Sequence, residues 1–232
     1  MQVIYEDNHI IIVSKTSGEI VQGDKTGDKP LSETVKQYIK EAYAKPGDVF
    51  LGVVHRLDRP VFGLVLFART SKALARMNAM FANGEVHKTY WAIVKNAPTL
   101  PQGTLTHWLV RNEKQNKSYA YDKEVPNSKK AILDYRVIGQ SDHYTLIEID
   151  LKTGRHHQIR CQLAKIGCPI KGDLKYGAKR SNPDGSISLL SRTMQFIHPV
   201  SKNEIAVTAP LPDDNLWQSF GVTSATKTQA KQ

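Results

Sequence analysis

The chain has very little cysteine and no long apolar run, and both absences restrict the protein classes to consider. Cys161 and Cys168 are the two cysteines among 232 residues. They lack the spacing and the histidine partners of a metal site, so we expect reduced, partly buried thiols. No segment reaches the ~20 apolar residues of a membrane-spanning helix. These absences argue against a disulfide-stabilised secreted scaffold and against a membrane protein.

A signal peptide pattern is also missing. Residues 1–7 do not combine a basic start with an apolar stretch of the required length. With reduced cysteines, this predicts a cytoplasmic protein. A hydrophobic content of 40% in a chain of 232 residues suits a globular protein with a sizeable core.

A charged cluster, His55–Arg59, lies between the apolar runs 51–54 and 64–68. Apolar runs of this length on both sides predict a turn between two strands. Asp58 is flanked by Arg56 and Arg59, and nearby positive charge favours an ionised carboxylate. Such a carboxylate suits a nucleophile. From these residues alone, a surface turn with arginines that serve solubility is an equal alternative.

A second cluster, residues 151–160, follows a strand-like alternation and a turn at Thr153–Gly154. Apolar residues at 159, 163 and 166 have helical spacing, and Gly167 followed by a proline at 169 is a helix stop signal. On this predicted helix Arg155 and Ile159 share a face, whereas the adjacent His156 and His157 diverge by roughly 100°.

Together these clusters resemble the two signature motifs of the RluA-type pseudouridine synthases, which isomerise uridine to pseudouridine in RNA. Weaker resemblances follow the family order and extend the match from about residue 3 to 212: Lys15 with Ser17-Gly18, the strand Lys88-Thr89-Tyr90-Trp91-Ala92-Ile93-Val94, and the turn Gly172-Asp173-x-x-Tyr176-Gly177. The chain departs from the family pattern at Val61-Phe62, where Thr-Ser is usual, and at Thr16, where proline is usual. The Val61-Phe62 departure puts substrate choice and rate in question more than reaction type.

The resemblance implies roles for individual residues. Asp58 is the essential nucleophile and Arg160 its salt-bridge partner. Tyr90 stacks on the target uracil, and Ile159 packs against the same site from the opposite side. Arg56 enters the space that a flipped uridine vacates. The reaction moves no electrons to an acceptor and transfers no external group, so we expect no cofactor and no metal.

Four neighbouring residues receive supporting roles. We expect His55 to shape the turn before Asp58. Arg155, His157 and Gln158 either orient the loop before the second cluster or meet RNA phosphates. We therefore expect all four to support substrate binding rather than to take part in the chemical step.

The resemblance also implies an α+β fold with a central mixed, largely antiparallel sheet flanked by helices. We expect one catalytic domain over residues 1–216 and a polar, basic tail over 217–232. Since strand-like residues begin at Val3, we expect none of the additional S4-like RNA-binding domain that many family members carry. Helical spacing predicts helices over 31–44 and after Ser71, which can act as an N-cap.

The expected partner is tRNA or ribosomal RNA, with no DNA, no membrane and a monomeric protein. A net charge of +10 and a pI near 9.5 agree with an acidic partner, although a merely basic soluble protein has the same composition. Residues 111–130, between strand-like 104–109 and 131–137, predict a basic hairpin that binds RNA by stacking and phosphate contacts. Its side chains are Arg111, Lys114, Lys117, Tyr119, Tyr121, Lys123, Lys129 and Lys130. For any single lysine of this segment, a solvated loop that contacts nothing is an equal alternative.

Two other functions compete with this reading. One is a catalytically silent RNA-binding protein on the same fold, which the Val61-Phe62 replacement keeps open, although the Asp, Tyr and Arg positions of the family are all filled. The other is a metal-dependent phosphodiesterase that uses His55, Asp58, His156 and His157. The predicted divergence of the two adjacent histidines makes them poor ligands for a single ion.

Overall fold

A computed structural model describes residues 1–220 of the chain. Its backbone contacts group into two compact units, the first formed by residues 1–87 and 191–210, the second by 88–190 and 211–220. The strands are β1 (Gln2–Glu6), β2 (Ile10–Lys15), β3 (Gly52–Val53), β4 (Phe62–Ala68), β5 (His87–Val94), β6 (Gln102–Asn112), β7 (Lys117–Tyr121), β8 (Lys129–Gln140), β9 (Thr145–Leu151), β10 (Leu189–Ile197) and β11 (Glu204–Thr208). The helices are α1 (Leu31–Ala42), α2 (Ser71–Ala82), α3 (Gln158–Lys165) and the short 3-10 helix Leu174–Tyr176.

In the first unit, β2 is a central strand with antiparallel neighbours on both sides. It pairs with β1 on one side and with β4 on the other, and β4 also pairs with the short β3. Strands β2 and β4 read as continuous apolar runs because both are buried along almost their whole length. The connection that carries Asp58 runs from β3 to β4, and the pairing of β4 with both β3 and β2 fixes its two ends.

In the second unit, β5, β9, β8, β6 and β7 follow one another as antiparallel neighbours. The alternation of buried and half-buried residues along β6 and β8 shows that one face of these strands is packed and the other is open. The predicted strands at 104–109 and 131–137 are confirmed within β6 and β8. The predicted α+β class with a largely antiparallel sheet is confirmed as well.

Helix α1 packs an apolar stripe onto the first unit. Leu31, Val35 and Ile39 are buried at helical spacing and belong to one core cluster with Val13 and Phe67. The predicted helix over 31–44 is therefore confirmed, but it ends at Ala42. Tyr43 is its C-cap, and Ala44 adopts a left-handed φ of 46°.

Helix α2 begins with a different cap from the predicted one. Thr70 is the N-cap, and its hydroxyl accepts a hydrogen bond from the Ala73 N–H at 3.1 Å. Ser71 is the first helical residue and is exposed. The prediction of Ser71 as the cap was wrong by one position, because both neighbours have a suitable hydroxyl and only the backbone decides which is extended.

The helix of the second cluster is shorter than predicted. It begins at Gln158, since His157 takes a left-handed conformation with φ 52°, and Gly167 follows its C-cap at φ 79°. The stop signal at Gly167 is confirmed. Arg155 lies before the helix, so the predicted shared helical face of Arg155 and Ile159 was wrong.

The packed chain continues past residue 216. Residues 215–220 are helical, and the Asp214 carboxylate accepts hydrogen bonds from the N–H groups of Leu216 and Trp217 at 3.0 and 3.2 Å. Trp217 and Phe220 are buried. The predicted tail over 217–232 thus begins inside an ordered helix, and residues 221–232 lie outside the described residues.

Both cysteines are buried and free, as predicted. Within residues 1–220, no helix is long and apolar enough to span a membrane.

Candidate active site

Asp58 lies half-buried on the connection between β3 and β4, which confirms the predicted turn between two strands. His55 supports this connection from inside: its Nε2 accepts a hydrogen bond from the Leu66 N–H at 3.0 Å. The His55 ring also stacks on Phe81 of α2, with ring centroids 5.0 Å apart. Arg56, between them in sequence, is exposed. The connection therefore presents Arg56 and Asp58 while His55 anchors it.

Lys15, at the end of β2, is a buried cation directly beneath this connection. Its side chain is only 1% exposed, and the ammonium donates to the carbonyl oxygens of Thr16, Arg59 and Val61 at 2.8, 3.0 and 2.7 Å. The Gly18 N–H also donates to the Arg59 carbonyl at 2.9 Å. One side chain thereby fixes the backbone on the C-terminal side of Asp58.

Burial lowers the pKa of Lys15 from 10.5 to about 8, although the charges of Glu19 and Asp58 oppose this change. An ammonium offers three N–H donors, and three carbonyls receive them here. The sequence marked Lys15 only as part of a turn motif, and its function as a support for the Asp58 connection was missed.

Gly63 lies just after the Asp58 connection and lets the backbone of β4 pass very close to the backbone of Ser191. It has φ +112°, and a Cβ built there would lie 2.3 Å from the Ser191 carbonyl oxygen. Gly63 also pairs with Lys15 in the β2–β4 ladder. A side chain at this position is excluded both by φ and by space. The glycine of the first motif is therefore required by the backbone that positions Asp58.

The departure at Val61-Phe62 is accommodated by packing. Val61 is 2% exposed, its N–H donates to the Asp58 carbonyl at 3.0 Å, and its own carbonyl receives Lys15. Its backbone therefore shapes the turn, and its side chain occupies a buried apolar position. Phe62 is the first residue of β4.

The sequence placed the positive charge of Arg59 beside Asp58, but the Arg59 guanidinium contacts the loop at residues 24–28 instead. Its guanidinium binds the Asp28 carboxylate at 2.7 Å and the Thr26 hydroxyl at 2.9 Å, and Asp24 lies 3.8 Å away. Arg59 therefore ties the loop at residues 24–28 to the Asp58 connection.

In the second unit, Tyr90 is a residue of β5 and pairs with Ile149 of β9. Tyr90 and Ile159 are each 6% exposed. Both predicted uracil neighbours thus belong to the packed face of this unit, and Ile159 lies in the first turn of α3.

Arg160 is held by a partner that the sequence reasoning missed. Its Nε and Nη2 donate to the two carboxylate oxygens of Asp173 at 2.7 and 2.9 Å, and both residues are buried. Its guanidinium also lies over the Tyr176 ring, 5.1 Å from the centroid. A bidentate pair of this kind fixes the plane of the guanidinium. The available signal was the Gly172–Gly177 turn motif, which contains both partners.

The two adjacent histidines do not diverge. The His156 and His157 rings stack with centroids 3.8 Å apart and an interplanar angle of 21°, because His157 is left-handed and neither residue lies on α3. The predicted divergence of roughly 100° was therefore wrong. His157 Nδ1 lies 2.9 Å from the Tyr176 hydroxyl, whose pKa is raised by burial, and His156 contacts Ser118.

Gln158 holds the turn before α3 together. Its Oε1 accepts from the Arg155 N–H at 2.9 Å and from the Thr153 hydroxyl at 2.8 Å, while its Nε2 donates to the Ile132 carbonyl. Gln158 is 3% exposed, whereas Arg155 is exposed and its Nε donates to the Lys130 carbonyl at 3.1 Å. These contacts support the loop-orienting alternative for Gln158.

Across residues 1–220, no group of three His, Cys, Asp or Glu side chains is arranged to hold a metal ion. The structure therefore offers the phosphodiesterase alternative no ligand cluster within its described part.

In a comparison with known protein families, one family model matches residues 9–165 of the chain. The family is described as RNA pseudouridylate synthase. An uncharacterised RNA pseudouridine synthase of Chlorobaculum parvum is 32% identical over 91% of this chain and 71% of its own length. The ribosomal large subunit pseudouridine synthase D of Zymomonas mobilis is 30% identical over 92% of this chain and 70% of its own. The tRNA pseudouridine synthase C of Vibrio cholerae is 28% identical over 95% and 94%.

Solved structures show the same fold. Human RNA Pseudouridylate Synthase Domain Containing 4 superposes with a TM-score of 0.78 at 20% identity and covers 96% of this chain and 92% of its own. Human RNA Pseudouridylate Synthase Domain Containing 1 gives a TM-score of 0.71 at 20% identity, with 94% and 86% covered.

Proposed function

Since the chain belongs to the RNA pseudouridylate synthase family, we propose that it isomerises specific uridines of tRNA or ribosomal RNA to pseudouridine. The single observation that carries the proposal is the construction around Asp58. A half-buried carboxylate sits on a connection that is fixed by Lys15, His55 and Gly63. Relatives that act on ribosomal RNA and on tRNA match nearly the whole chain, which supports both substrate classes.

The reaction breaks the N1–C1′ glycosidic bond, turns the uracil and rejoins it to the ribose through C5. The C5 proton leaves, N1 gains a proton, and nothing is oxidised or reduced. Asp58 supplies the electron pair that starts the process. The chemistry requires no cofactor, because every atom of the product except an exchanged proton is present in the substrate.

Arg160 is proposed to hold the Asp58 carboxylate ionised and correctly oriented. Asp173 engages two of the five N–H donors of the guanidinium and fixes its plane. A rigid guanidinium is a better partner for a carboxylate than a mobile one, since less side-chain freedom is lost. Asp173 is thus a positioning residue that acts through Arg160.

Tyr90 and Ile159 are proposed to confine the detached uracil. A phenol ring on one side and an apolar side chain on the other allow the base to rotate while limiting its escape. Both side chains are well packed, so they offer defined surfaces. Tyr90 also carries a hydroxyl that is able to take part in moving a proton.

Arg56 is proposed to occupy the space left by a flipped uridine. It is exposed and lies two residues before Asp58. Extracting a stacked base costs a few kcal/mol, and a planar guanidinium compensates by stacking on the neighbouring bases.

The decisive experiment is tritium release from RNA labelled at uridine C5, prepared from cells that lack this protein. We expect release by the native protein in the presence of a chelator and none by Asp58→Asn, which keeps nearly the same volume. A circular dichroism spectrum that matches the native protein serves as the folding control. Full activity of Asp58→Asn would refute the role of Asp58, and no release despite tight RNA binding would favour the silent RNA-binding protein.

A second measurement tests base flipping. We expect Arg56→Ala to reduce turnover at least about ten-fold more on a structured stem-loop than on a loose single strand, because only the former must be unstacked. Single-turnover rates on the two substrates measure this directly. Equal losses on both RNAs would contradict the flipping role.

A further inference from the structure

Strands β6 and β7 of the second unit present an unusual set of aromatic side chains to solvent. The register pairs Trp108 with Tyr121 and Val110 with Tyr119, so these four side chains project from one face of the hairpin. Tyr119 and Tyr121 are 38% and 42% exposed. We call this set the aromatic face. The sequence predicted an RNA-binding hairpin with Tyr119 and Tyr121, and the strand register adds Trp108 and Val110 to the same face.

The opposite face of the same hairpin is packed. Leu109 and Ala120 are directly paired, and they belong to a core cluster with Cys161 and Ala164 of α3. The side chains on this opposite face therefore pack into the hydrophobic core. The rings of the aromatic face are not needed to fill it.

Two lysines stand against these rings. Lys117 Nζ lies 5.4 Å from the centroid of Tyr119, and Lys130 Nζ lies 5.9 Å from that of Trp108. Lys130 pairs with Trp108 in the β6–β8 ladder and so shares the same face. Aromatic rings beside flexible cations match a nucleic acid strand, in which flat bases alternate with phosphates.

Charge favours the same partner. Residues 108–130 contain six basic and three acidic side chains. One of the acids, Asp122, binds Lys165 of α3 at 2.9 Å and lies 3.8 Å from His107, on the packed side of the hairpin. By the same register Arg111 and Lys129 lie on the packed face, whereas Lys117 and Lys130 lie on the aromatic face and give it two cations beside its rings.

The aromatic face is distinct from the proposed uracil site. Tyr90 pairs with Ile149, Ile149 with Tyr135, and Tyr135 with Gly103. Paired residues share a face, and side chains alternate along β6, so Tyr90 lies on the face of Gly103 and Leu109. Trp108 and Val110 are on the other one.

We propose that the aromatic face is a second RNA-binding surface that stacks unpaired bases of an RNA strand. This proposal rests on the proposed function only in taking RNA as the partner. It assigns Tyr119, Tyr121 and Trp108 to stacking, and Lys117 and Lys130 to the flanking phosphates.

The test is equilibrium binding of labelled oligocytidylate and of an abasic ribose-phosphate chain of equal length. Stacking requires bases, so the native protein should bind oligocytidylate more tightly. Tyr119→Leu and Tyr121→Leu keep apolar side chains suited to the sheet but remove the ring. Each should weaken binding of oligocytidylate about five-fold or more, and of the abasic chain less than about two-fold.

Two further variants are matched controls. Tyr119→Phe keeps the ring and should bind as the native protein does. Tyr43→Leu removes another exposed tyrosine, 42% exposed and covered by the Arg69 guanidinium, and should have no effect. Thermal unfolding confirms that each variant is folded. Equal affinity of the native protein for both chains, or equal losses on both chains in the leucine variants, would overturn the proposal.

Trp108 provides a reporter within the aromatic face itself. Trp91 and Trp217 are only 7% and 3% exposed, so quenching of tryptophan fluorescence by oligocytidylate should come from Trp108 and disappear in Trp108→Phe. Quenching that persists in that variant would contradict stacking on this face. Because oligocytidylate contains no uridine, these results stand whether or not the tritium assay detects isomerisation.

Discussion

At the scale of single residues, the fold strongly alters the chemistry of Lys15. A lysine that is almost completely buried loses the hydration of its charge, and here three backbone carbonyls replace the water. Two of the carbonyls, those of Arg59 and Val61, belong to the Asp58 connection itself, and the third belongs to Thr16, which directly follows β2. The hydrogen bonds that compensate for the burial of this cation also hold the backbone in place beside the proposed nucleophile.

The lowered pKa of Lys15 predicts how stability depends on pH. With a pKa of about 8 in the folded state against 10.5, the unfolded chain holds more protons between these values. The contribution of this group to the free energy of unfolding therefore increases as the pH rises through that window, by about 3 kcal/mol at most. Urea unfolding of the native protein and of Lys15→Met at about pH 7 and about pH 10 measures it.

The variant serves as its own control, since every other titrating group is common to both proteins. We expect the free energy of unfolding of the native protein, minus that of Lys15→Met, to be larger at the higher pH. A constant difference would show that Lys15 titrates near its ordinary pKa, and a falling difference would show that the fold raises its pKa; either result would contradict the prediction.

At the scale of elements, helix α2 supports the proposed site through a contact near its C-terminal end, and a side-chain cap stabilises its N-terminal end. Phe81 near its end stacks on His55, and Thr70 caps its beginning. We expect Thr70→Ala to lower the free energy of unfolding by about 1 kcal/mol, because the Ala73 N–H loses its acceptor. Ser71→Ala is the matched control and should change it by less than about half as much, as alanine suits a helix interior. Chemical denaturation of both variants distinguishes them, and a larger loss for Ser71→Ala would contradict the observed cap.

The sequence was most informative where a single local rule decides the structure. Apolar runs on both sides of His55–Arg59 predicted the turn correctly, and the spacing of Leu31, Val35 and Ile39 predicted α1. The start of α3 was mispredicted because it depends on a left-handed His157, a conformation that residues other than glycine seldom adopt. The contact between Arg160 and Asp173 depends on the conformation of the chain between α3 and Asp173. Helical periodicity does not report that conformation, so it could not predict the pair.

At the scale of the whole molecule, the excess of positive charge predicts how RNA binding responds to salt. The chain carries a net charge of +10. Each phosphate contact on a single strand contributes roughly −0.7 to the slope of log K against log salt concentration, because a counterion is released. Stacking contributes little to that slope, since it neutralises no phosphate.

Phosphate contacts and stacking are therefore separable on the same protein. We expect Lys117→Gln to make the salt slope for oligocytidylate shallower by about 0.7, because one phosphate contact is lost. Tyr119→Leu should lower affinity by a similar factor at every salt concentration and leave the slope unchanged. Binding isotherms at several salt concentrations give both quantities. An unchanged slope in Lys117→Gln would remove this lysine from the phosphate contacts, whereas a shallower slope in Tyr119→Leu would mean that its ring positions a cation instead of stacking on a base.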